Sequence, residues 1–361
     1  MVTKLLLLGS SVAFVGCGAG GAGSDGSLGS GSLGNLASVA GTAVTDEATN
    51  ALAEGTSSPS GIVNSAAADS DFTVTKTCTV NKPSTGNVEV KWTRSGTGSK
   101  TITKGKWEIT HAITASGSEI RNWVAPNSTA LTCNQANTGV RVTWSDLSVV
   151  NGLKMTATVD RIHAISVTKK RSTGATVSAT HDSATKGTRT VTWGTPSATS
   201  STISLQKSIV LDLTAVSTVS TESGTSVTSS GTIKTDGAAP LSVAIVRSGT
   251  SQQNTTIQSK TIQSGTIIHT DTSGPVTSST FSSVKYDLTS ANAAKCVPVS
   301  GTITGKVYSS AADMTSGTAS KTFVINFNDS SVDSGISISY DGAAAQDYQY
   351  SMEGCDLAKE S

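Results

Sequence analysis

The sequence predicts an all-β fold: a large antiparallel meander forming a curved sheet, an open barrel or a sandwich, after a flexible N-terminal tether. Three observations predict it. Apolar residues recur at every second position over most of the chain beyond residue 70. Gly- and Ser-rich turn signals fall between those runs, and no helical period longer than a few turns appears after residue 60. Strict alternation leaves one strand face buried and one wet, the mark of antiparallel pairing. Composition agrees. Of 361 residues, 36% are hydrophobic, 14% charged and 4% aromatic, with 35 Gly against 7 Pro. The charged share is well below the ~25% of an ordinary soluble domain. A net charge of +1 lacks the basic excess of a nucleic-acid binder, so no nucleic-acid partner is expected. No interior run approaches the ~20 apolar residues of a membrane-spanning helix.

Residues 1–16 read MVTKLLLLGSSVAFVG, with Lys4 as a positive start and residues 5–15 as a short apolar run. That run suits a signal peptide and is too short to span a bilayer. It leads into Ala13-Phe14-Val15-Gly16-Cys17, which resembles the lipobox of bacterial lipoproteins. Gly16 and Cys17 match the pattern, and Phe14 departs from its usual Leu. The resemblance covers about 17 residues. It implies that Cys17 takes a diacylglycerol and becomes the first residue of the mature chain. Gly rather than Asp at position 18 implies outer-membrane sorting in a Gram-negative envelope. The membrane is then a partner through the lipid on Cys17. Residues 18–35 are almost pure Gly, Ser and Ala, too apolar-poor to offset their ordering entropy, and read as a tether. Residues 36–54 fit either a short amphipathic helix or more tether. The tether region spans 17–70, and the β-domain 71–361.

Within that domain Val88, Val90 and Trp92 alternate with polar residues, as do Trp107, Ile109, His111 and Ile113. Val140, Val142 and Trp144 follow, then Arg189, Val191 and Trp193. The clearest run is Ile203, Leu205, Lys207, Ile209, Leu211 and Leu213. Leu241/Val243/Ile245, Phe323/Ile325/Phe327 and Ile336/Ile338/Tyr340 complete the series. Turns are expected at residues 95–98, 222–224, 235–237 and 330–335. Parity slips near Asp160-Arg161 and between Ala215 and Val216 predict bulges or bends in two long strands. Residues 195–280 are lean in aromatics, which suits one core with two aromatic-rich ends or two subdomains. Residues 71–247 hold 19 Lys/Arg against 10 Asp/Glu, and residues 309–361 hold 2 against 8. Lys207, Lys234 and Arg247, set among Ser and Thr, read as solubilising charge on wet faces.

Four Cys follow Cys17. An even number in an exported chain reads as two disulfides, and sequence proximity favours Cys78–Cys133 and Cys296–Cys355. No CxxC exists, and the four His have no HxH or HExxH spacing, so no metal site or cofactor is expected. SxxK occurs at Ser166/Lys169, Ser183/Lys186, Ser204/Lys207 and Ser282/Lys285, on segments that read mostly as strand rather than the helix its chemistry needs. Asp329, Asp333, Asp341 and Asp347 have the chemistry for Ca²⁺ or glycoside cleavage, yet the spacing fits no EF-hand and these are ordinary turn residues. No catalytic residues are assigned. Trp92, Trp107, Trp144 and Trp193 are candidate binding residues, as are Tyr348 and Tyr350, which share one strand face.

The expected function is a non-catalytic envelope lipoprotein, binding a protein or glycan partner, adhering, or forming surface structure. The alternative is a carrier whose curved sheet encloses a hydrophobic ligand in a cavity lined by those Trp. A secreted hydrolase is the residual alternative.

Overall fold

The computed structural model describes residues 73–82, 87–126, 131–133, 140–141, 151–171, 174, 176–194, 202–220, 226–237, 240–249, 255–271, 275–289, 298–328, 335–350 and 357–359. The signal segment, Cys17, the tether, Trp144, Cys296, Cys355, Asp329 and Asp333 lie outside them. The described residues are almost wholly strand: β1 (Thr73–Lys82), β2 (Asn87–Lys104), β3 (Trp107–Val124), β4 (Thr132–Cys133), β5 (Val140–Arg141), β6 (Lys154–Arg171), β7 (Thr176–Trp193) and β8 (Thr202–Ser220). There follow β9 (Ser226–Thr235), β10 (Leu241–Gly249), β11 (Thr255–Asp271), β12 (Val276–Asp287) and β13 (Pro298–Tyr308). One short helix, α1 (Ala311–Ser316), precedes β14 (Lys321–Phe327), β15 (Ile336–Tyr340), β16 (Gln346–Tyr350) and β17 (Leu357–Lys359).

Fifteen strands form one antiparallel sheet in nearly sequential order, from β1 at one edge to β17 at the other, and the sheet is not closed. The ribbon β4–β5 stands apart. The one break in the sequence order is local. β9 and β10 share the slot between β8 and β11: β9 pairs with one half of each neighbour and β10 with the other. Lys234 lies opposite Asp212 and Leu241 opposite Ile209, so six residues on one strand face two on the other. The extra chain lets Leu241 drop onto Gly265. A Cβ at Gly265 would lie 2.6 Å from Leu241 Cδ2, and its φ of +127° is one that side chains rarely adopt.

Burial follows parity. On β2 the inward residues are Val88, Val90 and Trp92; on β6, Met155 and Ala157, with Leu153 just before it; on β8, Leu205 and Ile209; on β10, Leu241, Val243 and Ile245. These join Phe281, Ile303, Phe323, Ile325, Ile338 and Tyr348 in one continuous core. A single sheet can bury one face from β2 to β16 only by curling over itself, since no second layer of comparable size is described. Gly305 serves that packing: Phe323 lies across it, where a Cβ would fall within 1.9 Å of the ring. A smaller cluster of Ile268, Val276 and Tyr308 is covered by Met314 of α1. Ser310 caps that helix by accepting from Asp313 N–H, and Gly317 ends it in the left-handed conformation.

The long strands correct three expectations. Residues 95–98 form no turn: all 18 residues of β2 pair with β3, and the reversal comes at Gly105. Continuous Thr-rich pairing outweighs four turn-prone residues. Nor does β6 bulge at Asp160-Arg161, for its pairing with β3 and β7 is unbroken. Ile162 is simply an outward residue, 53% exposed. β8 likewise runs straight against β7, and Val216 faces outward. The irregularity lies in its other neighbour, at the β9–β10 break. On the outer face, cross-strand hydroxyl pairs such as Thr101–Thr110 (2.9 Å) and Thr266–Thr280 (2.8 Å) stand where other proteins place charges.

Cys78 of β1 is bonded to Cys133 of β4, tying the ribbon to the sheet edge, as expected from their proximity. The bond closes a separation of 55 residues, for which chain entropy gives about 4 kcal/mol. Replacing both with Ala is expected to lower unfolding free energy by about 2–5 kcal/mol. Urea melts of the two proteins check this, and a loss under about 1 kcal/mol would defeat it.

Candidate functional site

The inner face carries an unexpected set of charges. Arg121 (β3), Arg189 (β7), Lys207 (β8), Arg247 (β10) and Lys260 (β11) are each 9% exposed or less. They lie on an oblique path. Arg189 is opposite Ile209, and Lys207 is two residues farther along β8, opposite Val243. Lys260 is opposite Ile245, two residues beyond Val243, and Arg247 is two residues beyond that. This corrects the reading of Lys207 and Arg247 as wet-face charges: odd parity on β8 and β10 points them inward. Lys234, at even parity on β9, is exposed as expected.

The answering carboxylate is Glu119, the one buried acid among the described residues, at 2% exposure. Arg121 Nε donates to its Oε1 at 2.6 Å, Arg189 Nη2 donates to the same oxygen, and Arg161 Nη2 donates to Oε2. Register builds the cluster. Glu119 and Arg121 are two apart on β3 and share a face, Arg121 and Arg189 both stand opposite Ala157, and Arg161 stands opposite Gly117. Gly117 lets β6 approach, since a Cβ there would lie 2.4 Å from the Asp160 carbonyl oxygen. Burial alone would raise the Glu119 pKa. The guanidiniums of Arg189, Arg121 and Arg161 overcome it and hold the carboxyl at about 2. Burial pulls Arg247 below its ordinary value.

Aromatic rings flank this end of the face. The Lys76 ammonium and Arg121 guanidinium lie 4.2 and 4.4 Å from the Trp92 ring centroid. Trp123 and Trp193 are 5.3 Å apart, centroid to centroid. The indole N–H groups of Trp92 and Trp123 are buried and bond to nothing among the described residues.

Of the four candidate Trp, the three among the described residues do not share one site. Trp92 and Trp193 are core residues, while Trp107 sits at the β2–β3 turn, about 40 Å along the strand from the Trp92 row. There Arg171 covers it at 5.5 Å. Tyr348 is buried in the core instead of forming an open platform, and β16 also carries Tyr350. Trp123 was the aromatic that alternation alone did not single out, although it falls two residues after Arg121 at inward parity. All four SxxK pairs lie on strands rather than on the helix turn that chemistry needs; three pairs face opposite sides of their strand, and Ser282 and Lys285 both stay exposed because β12 bulges at Ser283. Asp341 is occupied at a turn, accepting from Thr322 N–H (2.7 Å) and Oγ1 (3.2 Å). Among the described residues no three His, Cys, Asp or Glu gather as metal ligands.

The outer halves of β2, β3, β6 and β7 run past the core. Around the half-buried Trp107 they expose Lys100, Lys106, Lys169, Lys170 and Arg171, with Glu108 as the acid opposite Lys170. No protein-family model, curated relative or solved structure matches this chain.

Glu119 governs acid stability with a definite sign. Its folded pKa of about 2 is below its ordinary 4.5, so its contribution is full above pH ~4.5 and is lost as pH falls toward 2. About 3 kcal/mol of stability should disappear over that window. Glu119→Gln is expected to flatten the pH dependence and to lower stability at pH 7 by about 3 kcal/mol or more, because three guanidiniums lose their anion. Urea unfolding from pH 2 to 7 tests it; parallel pH curves for the two proteins would refute it.

Proposed function

We propose that this chain is a cell-envelope lipoprotein, held in the outer membrane by a lipid on Cys17, whose β-domain binds a partner and does not catalyse. The observation that carries the binding reading is the basic end of the long hairpins. Five exposed cations surround one indole and one carboxylate on a chain whose net charge is only +1. A rigid double hairpin standing past the core suits contact with a large partner, and its charge fits an acidic glycan or acidic protein surface. The lipobox and the Gly/Ser-rich tether support the envelope address, and the Cys78–Cys133 disulfide suits an oxidising compartment.

Two measurements test the two halves of this reading. Cys17→Ser should move the chain from the membrane to the soluble fraction, since acyl chains contribute about 0.8 kcal/mol per buried methylene. Unchanged fractionation would refute the anchor. The protein should be retained on a dextran sulfate column and elute at raised salt. Charge reversal at Lys100, Lys169 and Lys170 should weaken that retention by at least about tenfold, the salt-sensitive loss expected of an exposed charged surface. Equal retention of the reversed protein would place binding elsewhere.

A further inference from the structure

The basic end of the long hairpins carries more than charge. Residues 98–111 and 165–181 hold six Lys/Arg and one acid, Glu108. Among those cations stand apolar side chains that join neither core cluster of the described residues. Ile102 is 41% exposed, and Trp107, Ile109, Val167 and Val177 are half-buried. Register interleaves the two kinds on one face. Ile102, Ile109, Lys169 and Val177 form one cross-strand row. Lys100, His111 and Val167 form the row two residues farther in, and Trp107 and Arg171 close the end. Lys106 follows at the turn, while Glu108 and Lys170 fall on the other face.

The ends are also level and open. Trp107 and Arg171 lie opposite each other at the last paired row of β3 and β6, so the β2–β3 and β6–β7 hairpins stop together. A Cβ at Gly105 or Gly174, the glycines of the two turns, would meet nothing within 4 Å. A flat partner therefore reaches both ends at once.

Charge alone suits any acidic surface, and the apolar residues narrow the choice. An acidic glycan offers its anions to the lysines but leaves Ile102 and Val177 in water. The headgroup region of an anionic bilayer satisfies both kinds: ammoniums meet phosphates, an indole rests at headgroup level, and aliphatic side chains reach the acyl boundary. Strand pairing runs to Lys104 and Trp107 beside one turn, and Gly174 N–H donates to the Arg171 carbonyl across the other. Little unpaired backbone is then desolvated on entry.

We propose that the ends of the β2–β3 and β6–β7 hairpins dock on an anionic phospholipid surface, with Ile102 and Trp107 seated among the headgroups and the surrounding lysines on their phosphates. This rests on the basic end being a binding surface and names what it binds; it does not require the lipid on Cys17.

Flotation of the full chain with vesicles tests it, comparing phosphatidylcholine alone with phosphatidylcholine carrying about 30% phosphatidylglycerol, an anionic surface of the kind polybasic segments recognise. Binding should be at least about tenfold tighter to the anionic vesicles and should weaken as salt rises. Charge reversal at Lys100, Lys169 and Lys170 should remove that preference. Ile102→Ser and Trp107→Ser should each weaken binding to the anionic vesicles at least about threefold, with a smaller loss on dextran sulfate, because only the bilayer takes up apolar surface. Any affinity from residues 5–15 or a lipid on Cys17 is common to parent and variants, so the differences report the hairpin ends. Equal binding to both vesicles, or a preference that survives charge reversal, overturns the proposal; apolar variants that bind as the parent does overturn it too. Retention on dextran sulfate in any of those cases assigns the end to an acidic glycan and leaves the wider reading standing, whereas no retention removes both. Ile102 is on the surface, so its variant decides should Trp107→Ser not fold.

Discussion

A lone antiparallel sheet with no second layer of similar extent has one way to bury a face, which is to curl over it. That constraint makes side-chain parity decisive from β2 to β8. Because pairing is continuous along strands of up to 19 residues, a residue's odd or even position on a strand settles whether it meets the core or water. The irregularities lie outside these long strands, at the end of β1, along β10 and β11, and at the bulge in β12 near Ser283. The β9–β10 break inserts extra chain into one slot, and Gly265 accepts Leu241 there without disturbing β8.

Parity also explains why charge occurs inside. Glu119, Arg121, Arg189 and Lys207 occupy inward positions on strands whose other inward residues are apolar. Once the register is set, they cannot turn outward without flipping every neighbour to the wrong face. Glu119, Arg121 and Arg189 are therefore satisfied in place, through one carboxylate shared among three guanidiniums and through the Trp92 indole beneath Lys76 and Arg121. A buried ion cluster of this kind adds little net stability over apolar packing, but removing one member is costly. Its effect is to fix the relative register of β3, β6 and β7.

The fold class, the inward apolar residues and the Cys78–Cys133 bond were legible in the sequence, because each depends on spacing alone. Arg189 and Lys207 were legible in part: both fall inside alternating apolar runs, and a charge at such a position is a buried charge unless the strand ends there. Glu119 was hidden. It lies between Ser118 and Ile120 in a stretch with no apolar alternation of its own, and only pairing with β6 and β7 shows what it faces. The turn expected at 95–98 failed for the opposite reason. Local composition favoured reversal, but 18 residues of pairing with β3 dominate four residues of turn propensity. Separation along a strand misled as well, since Trp92 and Trp107 look near in sequence and lie at opposite ends of β2 and β3.

Strands β3 and β6 carry cations in two settings whose physics differ. In the middle, the buried Arg121 and the half-buried Arg161 are bound to Glu119; at the far end, Lys169, Lys170 and Arg171 are open to water. Exposed pairs on the outer face, such as Lys186 with Asp160 at 3.8 Å, are weak and screened by salt. Nothing in folding demands so many lysines at the hairpin ends, where hydroxyls serve the rest of the outer face. In the strand order β14 to β17 lie at the opposite edge from β1 and β2. An exposed set of like charges of this kind raises the local field at the hairpin ends, and salt screens it.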